Sequence, residues 1–111
     1  MHIPEAPVYP ASLTVTVTTS GLISYNNRFL GLYTLSPGET INEQPIWKKD
    51  GSQETIFYKD GKWRIDQVAG RHGSLRSPKT FPEVIPESGW EYKDRTGWSL
   101  EHHLRIRGIA F

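Results

Sequence analysis

The chain contains no cysteine among its 111 residues. That excludes disulfides, thiolate metal sites and a cysteine nucleophile. It argues against a small secreted module held by disulfide staples, and it leaves the compartment open. Charge of one sign is also lacking. Thirteen basic residues stand against 12 acidic ones, a formal net charge of +1, which supplies no long-range field toward nucleic acid or an anionic membrane. No apolar run approaches the roughly 18–20 residues of a transmembrane helix. Met1 to Pro7 has neither the basic start nor the apolar stretch of a signal peptide. The expectation is therefore that the mature chain begins near Met1 or that a preceding segment has been removed. No Asn-x-Ser/Thr glycosylation site occurs. Long unbroken stretches are scarce too. Eight prolines and ten glycines leave segments of about ten residues or fewer, too short for several packed helices.

What is present is aromatic. Four Trp, five Tyr and four Phe make 12 % of the chain, a composition of a globular domain rather than a disordered segment. At this length, folding buries roughly two-thirds of the unfolded surface, enough for a single core. Residues 1–11, with three prolines, are expected to lie extended as an arm, and residues 12–111 to form a single β domain.

The segments between turns read as strands. Leu13 to Thr18 alternates apolar and β-branched polar residues, so Leu13, Val15 and Val17 share one face. Phe29 to Leu35 follows, then a turn at Ser36-Pro37-Gly38-Glu39. Pro45 to Lys48, Glu54 to Tyr58 and Lys62 to Asp66 are the next strands, joined through Asp50-Gly51 and Asp60-Gly61, both read as type I′ hairpins. Residues 70–89 form an irregular excursion with a short strand near Leu75. Order resumes at Gly89-Trp90-Glu91-Tyr92, and a polar turn leads to Trp98. The stretch from Trp98 to Arg107 supports two readings: two short strands, or a short C-terminal helix capped by Thr96. The fold expected is all-β, a compact antiparallel sandwich or open barrel of about seven to nine short strands built from hairpins. Tyr58-Lys59-Asp60-Gly61-Lys62-Trp63 is echoed by Tyr92-Lys93-Asp94-Arg95-Thr96-Gly97-Trp98, and each is expected to bring Tyr and Trp into cross-strand contact.

Gly31-x-Tyr33, Asn42-x-x-Pro45-x-Trp47-Lys48, Ile56-Phe57-Tyr58, Gly61-x-Trp63-x-Ile65 and Gly89-Trp90-Glu91-Tyr92 with the later Trp98 together resemble a small all-β, aromatic-rich repeat. That repeat occurs in tandem in large modular proteins of marine invertebrates and protists. The resemblance spans about residues 13–106 and departs at Glu43, where the pattern usually has glycine. It implies a binding or adhesive setting.

Catalytic signatures are missing. No Gly-x-Ser-x-Gly elbow and no P-loop occur, so no enzyme activity and no cofactor are expected. His102 and His103 are adjacent, and on a strand they point to opposite faces and cannot share an ion; no metal site is expected. Basic clusters at Arg71, His72, Arg76 and Lys79, and from Lys93 to Arg107, lie among aromatics, but the near-neutral total disfavours a nucleic-acid ligand. Glycan binding is the leading expectation, because Trp and Tyr faces stack on sugar C–H faces while polar neighbours bond the hydroxyls. The candidate ligand-binding residues are Trp98, Tyr92, Asp94 and Arg95 at one hairpin, and Asn26 and Asn27 in a loop. Trp63 is expected in the core, and Trp47 and Trp90 are expected as core or clamp residues. The alternative is a structural, self-assembling or protein-binding subunit, a homo-oligomer pairing through an edge strand at Leu13 to Thr19.

Overall fold

A computed structural model describes residues 9–17, 29–67, 74–94 and 96–109. Nine antiparallel strands form one sheet in the order β8-β7-β6-β5-β4-β3-β2-β1-β9. They are β1 (Ser12–Val17), β2 (Gly31–Ile41), β3 (Gln44–Lys49), β4 (Thr55–Lys59), β5 (Lys62–Asp66), β6 (Leu75–Arg76), β7 (Glu91–Asp94), β8 (Gly97–Leu100) and β9 (Leu104–Ile109). The chain walks outward from β1 to β8, then returns to the far side of β1 through Glu101, His102 and His103 alone. Laid flat, nine strands at ~4.8 Å spacing would separate β8 from β9 by about 38 Å. Four Cα steps from Leu100 to Leu104 span at most about 14 Å. The sheet must therefore curl, and it does so into a half-barrel.

Alternation fills that curl. Leu13, Val15, Tyr33, Trp47, Ile56, Trp63, Ile65, Leu75, Leu104 and Ile106 turn inward from successive strands, and Phe29 and Trp90 join them from outside the strands. Trp47 lies 5.5 Å from Trp63, and Tyr58 lies 5.3 Å from Trp63, both edge-to-face. The Trp47 Nε1–H donates to the Pro10 carbonyl at 2.9 Å, and the Trp90 Nε1–H to the Pro86 carbonyl at 2.7 Å. The Trp63 Nε1–H has no hydrogen-bond partner among the described residues. Segment 86–90 lies across the seam between the two edges. Ile106 N–H donates to Glu87 C=O at 2.9 Å on the β9 side, and Glu101 N–H donates to Trp90 C=O at 2.8 Å on the β8 side. An Arg107–Glu87 ion pair adds to the first contact.

Four expectations need correction. The residues read as a turn at 36–39 belong to β2, whose pairing with β3 shifts register between Leu35 and Thr40. The reversal comes at Asn42-Glu43, both left-handed at φ 52° and 66°, the two-residue type I′ geometry. Asp60-Gly61 is type I′ as expected, with φ 52° and 76°, whereas only Gly51 of Asp50-Gly51 is left-handed. There the loop is longer, since β4 begins only at Thr55. The helix reading of residues 98–107 gives way to β8 and β9, because β8 finds a ladder partner in β7 and β9 in β1. Strand β1 is not an edge: β2 pairs with one side and β9 with the other. Residues 1–8 of the expected arm lie outside the described residues. Its end does not float on the surface, since Tyr9 packs edge-on against Trp47 at 5.8 Å.

Glu43 holds a left-handed backbone that costs a side-chain-bearing residue roughly 1–2 kcal/mol and glycine far less. Replacing it restores the Asn-Gly turn. Glu43→Gly is expected to raise stability by about 0.5–1 kcal/mol after the added unfolded-state entropy of glycine, measured as an upward shift of the urea midpoint at constant slope.

Candidate functional site on the convex face

The hairpin β7–β8 carries most of the sequence-derived site, and its register decides what that site can be. Asp94 pairs with Gly97, Lys93 with Trp98, Tyr92 with Ser99 and Glu91 with Leu100. Directly paired residues share a face and neighbours alternate. Tyr92 packs against the interior cluster, so Trp98 falls on the opposite, convex face with Lys93 and Glu91. The spacing explains the difference from the earlier hairpin. Five positions separate Tyr58 from Trp63, and they pair directly. Six positions separate Tyr92 from Trp98, and the extra residue reverses the parity. The second expected Tyr–Trp contact therefore does not form, and Tyr92 and Trp98 cannot line one site.

Trp98 instead meets Arg76. The guanidinium carbon of Arg76 lies 4.0 Å from the Trp98 ring centroid, a cation–π distance. Arg76 Nε–H also donates to Glu91 Oε1 at 2.9 Å, and that carboxylate sits on the adjoining strand β7. The ring is thus oriented by a charged neighbour that is itself held. Trp98 is half-buried, while Trp47, Trp63 and Trp90 are wholly shielded.

The convex face continues as a basic surface. Arg64 on β5 stands directly opposite Arg76 on β6, a like-charge pairing that disfavours the sheet unless anions offset it. Arg64 is only 5 % exposed, and its Nε–H donates to the Lys59 carbonyl at 3.0 Å. Burial draws the Arg64 guanidinium below its ordinary range; Asp60 opposes this and Arg76 adds to it. Lys62, two residues earlier on the same face, is also drawn down, first by burial and then by Arg76, with Glu91 opposing and Arg64 and Lys79 adding. Lys79 reaches this surface because Thr80 N–H donates to Gly61 C=O at 2.8 Å and Ser77 N–H to Trp63 C=O at 2.8 Å, laying residues 77–80 beside β5.

A concavity of about 170 Å³ is lined by Tyr9, Pro10, Leu13, Glu83, Ile85, Ile106 and Gly108. Burial raises the Tyr9 phenol above its ordinary pKa, and the charge of Glu83 raises it further. At the adjoining turn, Phe81 is 77 % exposed and Val84 51 %.

Of the other sequence-derived residues, Asn26, Asn27 and Arg95 lie outside the described residues, and of Asp94 only the backbone is described. His102 and His103 occupy the β8–β9 turn rather than a strand. No group of three or more His, Asp or Glu residues is placed to hold a metal ion among the described residues, and no helix there is long and apolar enough to cross a membrane. Lys62, Arg64 and Glu91 were missed from the sequence. Counting parity from the Asp60-Gly61 turn places Lys62 and Arg64 opposite Trp63, which was the available signal. No family model matches the chain, and no curated protein or solved structure is detectably similar to it.

Acrylamide quenching is expected to reach Trp98 and leave the other three indoles largely protected. Trp98→Phe should remove most of the quenchable emission; an unchanged quenching curve would contradict the β7–β8 register.

Proposed function

We propose that the protein is a non-enzymatic recognition module that binds glycan on its convex face, with the Trp98 indole as the stacking platform. The observation carrying this reading is the contrast among tryptophans: three are enclosed by the half-barrel, and the fourth is half-buried outside it beside Arg76 and Glu91. A flat indole accepts the apolar face of a sugar ring. Arginine and carboxylate next to it supply the donors and acceptors that hydroxyl groups require. The Arg76–Glu91 pair fixes both groups before any ligand arrives, so little rotamer freedom is lost on binding. Tyr92 serves the core in this reading.

A second reading rests on Phe81 and Val84. So large an apolar exposure at the tip of one turn suits insertion into a protein partner or a second copy. Phe81→Ser would then abolish a concentration-dependent association seen by light scattering; a wild-type chain that stays monomeric at high concentration and captures no defined partner removes this reading.

Isothermal titration against a panel of oligosaccharides tests the glycan reading. A binding member of the panel is expected to lose about thirtyfold in affinity with Trp98→Ala, the size of removing a central aromatic anchor worth about 2 kcal/mol. Binding that survives Trp98→Ala at full strength would place the ligand elsewhere.

A further inference from the structure

Near-neutrality of the whole chain conceals a separation of charge. Lys62, Arg64, Arg76 and Lys79 gather on and beside the convex face of β5–β6, flanked by Lys59 and Lys93. Against these six basic residues stand three acidic ones, Asp60, Asp66 and Glu91. The rest of the chain carries seven basic and nine acidic residues. The positive surface is therefore local to the face that carries Trp98, and the chain's remainder is negative.

We infer that the glycan recognised on this face is an acidic one, whose sulfate or carboxylate groups are seated by Lys62, Arg76 and Lys79 while a sugar ring stacks on Trp98. This rests on the glycan reading above and names its ligand class. Cationic groups on this face outnumber the acidic ones beside them. Arg64 and Arg76 oppose each other in register on one face, and like charges so placed cost the fold stability. One carboxylate, Glu91, bonds Arg76. No ion pair holds Lys62 or Lys79 among the described residues. An anion seated by Lys62, Lys79 and Arg76 relieves the repulsion, and charge-assisted hydrogen bonds from arginine and lysine are the strong kind. Burial is the first cause of the lowered proton affinity of Lys62, and the neighbouring cations Arg76, Arg64 and Lys79 add to it. A neutral sugar gains nothing from these charges. Single-stranded nucleic acid also offers anionic charge and a stacking face, but the basic residues form a compact patch beside one half-buried indole. A strand of bases needs a longer track with several stacking rings.

The experiment is titration calorimetry on the full chain at two salt concentrations with four probes: a heparin-derived octasaccharide, a hyaluronan octasaccharide, a neutral chitin hexasaccharide and a ten-residue oligo-deoxythymidine. The expected result is preferential binding of an acidic octasaccharide, weakened by salt and weakened about tenfold in the double variant Lys62→Gln/Lys79→Gln, both of whose sites lie off the core. Binding of heparin alone assigns sulfate as the seated group. Equal binding of both acidic probes assigns the carboxylate that they share. Chitin hexasaccharide binding as tightly as the acidic probes, with the double variant unaffected, overturns the acidic inference and leaves the glycan reading standing. Binding of none of the three sugars overturns both. Oligo-deoxythymidine binding more tightly than either acidic sugar, and losing that affinity in Trp98→Ala, replaces glycan with nucleic acid. A thermal melt of the double variant that matches wild type keeps its loss of binding attributable to charge.

Discussion

Three residues, Glu101 to His103, join the outermost strands of a nine-strand sheet, and this short tether governs the rest of the molecule. A flat sheet could not accommodate it. The curl that it forces encloses an interior that aliphatic and aromatic side chains fill together. The large rings Trp47, Trp63, Trp90, Tyr33 and Phe29 are all enclosed. Their indole N–H groups then need acceptors inside an apolar volume. Two are met by carbonyls of proline residues, Pro10 and Pro86, in segments outside the sheet. The arm and the excursion are thus not ornaments on the fold; each supplies an acceptor that the barrel wall cannot, because wall carbonyls are occupied by the ladder.

Much of this was legible in residue order, and the failures have physical causes. Alternation from Leu13 to Val15 and the Asp60-Gly61 turn are local signals, and both stand in the structure as read. Three misreadings share another origin. Ser36 to Glu39 has turn chemistry, but the partner strand extends to Gln44 and holds the segment in a bulged ladder. Strand β1 looked like an edge because its second partner lies more than eighty residues away. Residues 98–107 carry both periodicities, and only the distant pairing with β1 selects strand for β9. Each outcome depends on long-range contact, which no local window contains.

The candidate site was legible in part. Trp98 was singled out by the polar turn beside it, and the structure leaves it half-buried outside the core. Its neighbours were not legible, because Arg76 and Glu91 come from strands on either side of a junction in the irregular excursion. Net charge concealed the rest. A total near zero describes a chain with one positive face as readily as a chain of scattered ions, and only the register distinguishes the two.

The two lysine–aspartate hairpins also carry a consequence for how such a surface arises. They differ by one residue between tyrosine and tryptophan, and that residue decides whether the indole is enclosed at 5.3 Å from its tyrosine, as in Trp63, or displayed under an arginine, as in Trp98. A one-codon insertion at a turn therefore moves an aromatic from packing to presentation without altering any side chain. In a scaffold made of short hairpins, new binding surfaces are within reach of single length changes as well as of substitution.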